Sequence, residues 1–137
     1  MLSKRTKYGI KALIYLAKNG IDRPIKVIEI ATEENISRKF LEAIMVILKN
    51  NGLVNAKKGA QGGYYLTKNP TEINLSSIYR MLEGPIAMVP CVSLNYYEKC
   101  DDCKDELSCS IHRVMIQVRD NTLSILENTS LKEMIKD

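Results

Sequence analysis

The chain has 137 residues, 45% of them hydrophobic, with one Phe, no Trp and a formal net charge of +4. That supplies one core filled by Leu, Ile, Val and Tyr, while no run nears the roughly 18 apolar residues of a membrane span and no secretory signal is visible, so a cytoplasmic protein without membrane association is expected. Charge is split: residues 1–68 hold 13 Lys/Arg against 5 Asp/Glu and residues 69–137 hold 7 against 11, which suggests one polyanion-binding face.

In residues 6–19, Ile10, Leu13, Ile14 and Ala17 recur at helical spacing, with Tyr8, Ala12 and Tyr15 as a second apolar row. Such a helix is sandwiched between other elements, and Gly20 ends it. Residues 26–34 form a short helix with Val27, Ile30 and Ala31 inward. Asn35-Ile36 makes a tight turn, and Ser37 is placed to cap a helix over residues 38–50. That helix buries Phe40, Leu41, Ile44, Ile47 and Leu48 and turns Arg38, Lys39 and Glu42 outward. Two short helices joined by a brief turn read as a helix-turn-helix with the second in the reading position. Arg38, Lys39 and Glu42 are then the candidate base-edge readers, since Arg and Lys pair with guanine and Glu accepts from cytosine.

Residues 53–57 and 64–67 read as strands around Lys58-Gly59-Ala60-Gln61-Gly62-Gly63. Glycines allow positive φ and leave no side chain between backbone and ligand. Lys57, Lys58 and Gln61, with Tyr64 at the loop's far base, are the candidate wing contacts to double-stranded DNA. The expected fold is mainly α with a small β-wing: a winged helix-turn-helix domain plus a long C-terminal dimerisation helix.

A short amphipathic helix carrying Leu75, Ile78, Tyr79 and Leu82 stops at Gly84-Pro85. Residues 85–109 show no periodicity and contain all four cysteines beside Glu98, Asp101, Asp102, Asp105 and Glu106. So long an irregular stretch needs something other than a core to hold it. Beyond it, Ile111, Met115, Val118, Thr122 and Ile125 step by four and three along a helix ending near Asn128, a stripe that suits pairing with a second copy in a homodimer. Residues 131–136 suggest a short final helix. The expected division is a DNA-binding domain over 1–84, a cysteine-rich loop over 85–109, and a dimerisation helix with tail over 110–137.

Cys109 and His112, three apart at a helix start, share a face and can chelate one centre. Cys100-Asp-Asp-Cys103 is a C-x2-C turn of the kind found in zinc and iron–sulfur loops, and Cys91 lies nine residues earlier. Five candidate ligands serve where four complete a site, and the spacings leave zinc and iron–sulfur both open. The nearby acids would raise a thiol pKa, which argues against a nucleophilic-cysteine enzyme.

Cys103-x5-Cys109-x2-His112, following Lys57-Lys58-Gly59-Ala60-Gln61-Gly62-Gly63-Tyr64 and the Leu82-Glu83-Gly84-Pro85 helix end, resembles the Rrf-two family of bacterial transcription regulators, and most nearly its iron–sulfur members. The likeness runs from about Leu2 to Glu133. It implies a homodimeric regulator, a repressor, reading a palindromic operator and holding a 2Fe–2S cluster through Cys91, Cys103, Cys109 and His112. Two departures stand out: the gap from Cys91 to Cys103 is longer than in those members, and Cys100 is an extra thiol that could replace Cys91. Met1–Ile10 holds no Asp or Glu, unlike the nitric-oxide-sensing relatives, which borrow a carboxylate from the first helix. A structural zinc site, and a cluster-free thiol or cysteine-metabolism regulator, are the rival readings.

Overall fold

A computed structural model describes residues 2–135. Helix α1 (Lys4–Asn19) starts earlier than the apolar spacing indicates, because the Ser3 side chain accepts from the Thr6 N–H and caps it. Ala12, Leu13, Leu16 and Ala17 of α1 are buried, so its central face is the floor of the core. Helix α2 (Val27–Glu33) and helix α3 (Arg38–Asn50) pack on one another and form the helix-turn-helix. Asn35, at φ 53°, turns the chain between them; Asn tolerates this left-handed conformation better than other non-glycine residues.

Ser37 caps α3 as its position predicts, accepting from the Phe40 N–H. Leu41, Ile44, Met45 and Leu48 point into the core, each contributing about 1.5–3 kcal/mol of burial. Phe40 is a correction to the expected core: it is 36% exposed and meets Tyr8 edge-on, ring centroids 5.8 Å apart. Ile47 is half-buried.

Strands β1 (Val54–Lys57) and β2 (Gly63–Leu66) pair antiparallel, with Val54 opposite Leu66 and Lys57 opposite Gly63. The hairpin is fastened to the body by Ile25, whose N–H donates to the Tyr64 carbonyl at 2.8 Å and whose carbonyl accepts from the Tyr64 N–H at 2.7 Å. Gly63, at φ +149°, lies so close to Ile25 that a Cβ there would sit 2.6 Å from its carbonyl carbon. A glycine at the root of the wing is therefore required by the docking as well as by the turn.

Asn74 caps helix α4 (Leu75–Leu82), which packs on α1 and α3. The segment up to residue 109 is largely irregular, with one short 3-10 turn over Pro90–Val92. Helix α5 (Ser110–Glu127) then packs on α4 and on that turn. Helix α6 (Leu131–Met134) follows; the expected helix end at Lys136 lies outside the described residues. The tail returns to the main body, where Leu131 is fully buried and its N–H donates to the Ile73 carbonyl at 2.7 Å. No described helix is long and apolar enough to cross a membrane.

Candidate DNA interface and cysteine–histidine cluster

The start of α3 presents Arg38 and Lys39 to solvent, followed one turn on by Glu42. Arg38 and Glu42 form an i,i+4 ion pair at 3.0 Å, with side chains 63% and 51% exposed. At that exposure the pair contributes well under 1 kcal/mol, so it is readily exchanged for contacts to a ligand. Arg38 and Glu42 share an open groove with Lys57 and Tyr64 of the wing. The groove thus unites helix and wing residues read separately from the sequence. Lys58 and Gln61 lie exposed at the wing tip, and Lys57 places its ammonium 5.8 Å from the Tyr65 ring centre. Tyr64 differs from the rest: half-buried against the core, it edges the groove while its backbone holds the wing down.

Three groove residues escaped the sequence reading: Lys26, Ile28 and Val46. Val46 is 50% exposed and follows Glu42 by four, so helical spacing alone could have placed it on the reading face. An apolar side chain there suits contact with a thymine methyl.

At the opposite end of the chain the cysteine loop folds back on the start of α5. The Cys109 side chain caps that helix, accepting from the His112 N–H at 3.4 Å. The His112 ring returns to the loop, with Nδ1 3.3 Å from the sulfur of Cys91. This contact spans 21 residues, and no local spacing foretells it. Cys91 is buried and Cys100, Cys103 and Cys109 are half-buried. Desolvation pushes the Cys91 thiol pKa up, reinforced by its contact with Cys100 and by the charge of Glu106. The Cys103 thiol is raised by desolvation, then by Cys109, Cys100 and Glu106. Raised in this way, both thiols favour the protonated, less nucleophilic form. Tyr97 donates a hydrogen bond to Glu106 across the loop, which raises its phenol to about 12.

Among the described residues, no three His, Cys, Asp or Glu side chains stand close enough to hold one metal ion. A tetrahedral zinc needs four donors around a single point. A dinuclear iron–sulfur centre divides its four protein ligands between two irons. Three thiols with one imidazole are donor chemistry that either centre takes, and Cys91 with His112 is the pair of candidate ligands that the fold brings into side-chain contact. Cys100, held in a turn by the Cys103 N–H to Cys100 carbonyl bond at 3.1 Å, stands beside Cys91 as an additional thiol.

A helix-turn-helix whose second helix shares a groove with a basic β-hairpin defines a winged-helix DNA-binding regulator rather than an enzyme. The chain belongs to the Rrf2 family: the family model, described as an iron-dependent transcriptional regulator, matches residues 2–137. It is 36% identical to an rrf2-like HTH-type transcriptional regulator of Rhodobacter capsulatus, over 98% of this chain and 92% of that one. The HTH-type transcriptional regulator CymR of Bacillus subtilis is 34% identical over 97% of this chain and 88% of its own. The solved structure of CymR, described as a global cysteine regulator, superimposes with a TM-score of 0.82 at 32% identity, covering 100% and 98% of the two chains. The structure of T. potens IscR gives a TM-score of 0.79 at 28% identity over 100% of this chain and 87% of that one.

Proposed function

We propose that this transcription regulator is a cytoplasmic homodimeric repressor whose grip on a palindromic operator is set by a 2Fe–2S cluster bound through Cys91, Cys103, Cys109 and His112. The observation that carries the reading is the Cys91–His112 contact at 3.3 Å, at the first turn of the helix proposed to pair the protomers. When bound, a 2Fe–2S cluster would supply a charge and redox state that follow iron supply and oxidants. Cys109 caps α5 and His112 lies in its first turn, so a change in what these side chains hold acts directly on the start of that helix. The outward stripe of α5 supports its pairing with a second copy: Ile111, Val114 and Ile125 are 63%, 49% and 67% exposed, whereas Met115 and Val118 are half-buried. A two-fold dimer bridges half-sites about 34 Å apart. A shift of about 1.4 kcal/mol between two dimer geometries changes affinity tenfold.

Anaerobic reconstitution with iron and sulfide tests the reading. The protein is expected to turn brown and bind iron and sulfide in equal amounts, and Cys109→Ala/His112→Ala is expected to bind neither. A wild-type protein that stays colourless and iron-free ends the cluster reading; bound zinc instead would favour a structural metal.

On the DNA side, Arg38, Lys39 and Glu42 read bases, and Lys57, Lys58, Gln61 and Tyr64 seat the wing. Lys58→Ala is expected to weaken binding to every duplex and to flatten the log–log salt dependence by about 0.9. An unchanged slope removes Lys58 from the phosphate contacts.

A second reading rests on its own observation. The Cys91 thiol also interacts with Cys100, a thiol pair that can act without a cluster, and the likeness to CymR lends support to a cluster-free thiol or cysteine-metabolism regulator. Normal operator control after replacement of both Cys109 and His112 would favour it.

A further inference from the structure

We infer that Arg119 is the positioning residue that couples the cysteine loop to α5, carrying a change at the ligand-bearing turn into the helix proposed to pair the protomers. The inference deepens the cluster reading, on which it rests for what alters the loop. Arg119 is 16% exposed, against 58% for its neighbour Asp120. One guanidinium nitrogen, Nη1, donates to the Val92 carbonyl at 3.0 Å. The other two nitrogens, Nε and Nη2, donate to Asp120 Oδ1 at 2.9 and 2.8 Å. A largely covered charge is tolerated only when it is paired and hydrogen-bonded. The planar fork of Arg presents its donors to both partners in one fixed geometry, which the compact ammonium of Lys with its rotatable donors does not reproduce.

Residues 112 and 119 lie two turns apart on one face of α5, about 10 Å along its axis. They grip consecutive residues of the Pro90–Val92 turn: His112 meets the sulfur of Cys91, and Arg119 holds the carbonyl of Val92. The two grips differ in kind. The first joins two candidate ligands, so a metal bound to either replaces its hydrogen bond. The second is to a backbone oxygen that no metal competes for. Arg119 therefore stays attached while the first grip changes, and a displacement of the turn is delivered to the middle of α5, beside Val118.

Two variants of the whole chain, Arg119→Lys and Arg119→Gln, test this in two measurements. Without metal, the amides of Val92, Ser93 and Glu98, which donate to Val89 and Pro90 carbonyls, are expected to exchange with solvent about tenfold faster in both variants, with α3 amides unchanged. Wild-type exchange rates at those amides would overturn the inference. In the second measurement, wild type and Arg119→Lys are reconstituted with iron and sulfide and titrated against a duplex that the wild-type protein selects from a random pool. The ratio of loaded to unloaded affinity is expected to fall to within about twofold of one in the variant, with iron content and unloaded affinity kept. A variant that loads and retains the wild-type ratio would likewise overturn it. Wild-type protein that takes up no iron ends the cluster reading alone, and the exchange rates then decide the role of Arg119.

Discussion

Ile111→Glu/Ile125→Glu is expected to yield a folded monomer that binds a full palindrome about 10²–10⁴-fold more weakly than the wild type, the range that tethering two binding heads commonly supplies. Both side chains are well exposed in the single chain, and α5 has no fully buried residue of its own. An 18-residue helix in that position loses little within the protomer when these two change. In a dimer each buried Ile contributes about 1.5–3 kcal/mol, and each Glu would bring an unpaired charge into the seam. Light scattering at micromolar concentration reads the mass, circular dichroism reads the fold, and titration of a whole palindrome against a single half-site separates lost pairing from lost recognition. A double variant that remains dimeric would remove the α5 stripe as the pairing surface.

Gly63→Ala is expected to cost about 3 kcal/mol, lowering the melting temperature by roughly 10 °C. Its Cβ would stand 2.6–2.8 Å from the carbonyl carbon, oxygen and nitrogen of Ile25. These are backbone atoms that cannot swing aside, and moving them breaks the paired Ile25–Tyr64 hydrogen bonds. Gly59→Ala is the control: Gly59 also has a positive φ, +104°, but a Cβ there meets nothing within 4 Å. Its cost should stay near about 1 kcal/mol, the penalty of the backbone conformation alone. Thermal unfolding of both variants gives the ordering; equal melting temperatures would show that the docking of the wing on Ile25 does not matter for stability.

The winged helix was legible because its signals are local. Ser37 stands where a cap must stand and α3 repeats its apolar residues every three or four positions, while two glycines close a basic hairpin. Phe40 misled because an apolar residue type does not dictate burial; it sits in the exposed first turn of α3, with its ring against Tyr8. In the cysteine loop, helix geometry placed Cys109 and His112 on one face, where Cys109 accepts from the His112 backbone N–H, but the turn of the His112 ring to Cys91 depends on how an irregular loop packs on α5. Arg119 left no trace in motif spacing, since its partner is a carbonyl that every residue possesses. Its one sequence clue is that it follows His112 by seven, two helical turns away. The stripe on α5 was visible, but only the packing on α4 and the Pro90–Val92 turn separates the sheltered Met115 from the outward Ile111 and Val114.

The return of the tail to the main body has a mechanical consequence. Just past α5, the Leu75 N–H donates to the Thr129 carbonyl and Leu131 plugs the core, while the beginning of α5 is tethered through Cys91 and His112. A rod pinned at both ends cannot absorb a push by pivoting loosely at one of them. Strain at its first turn would be shared with the frame that bears the reading helix; on the proposed cluster reading, a foreign zipper grafted in place of α5 is expected to keep the protein dimeric while operator affinity no longer follows cluster loading.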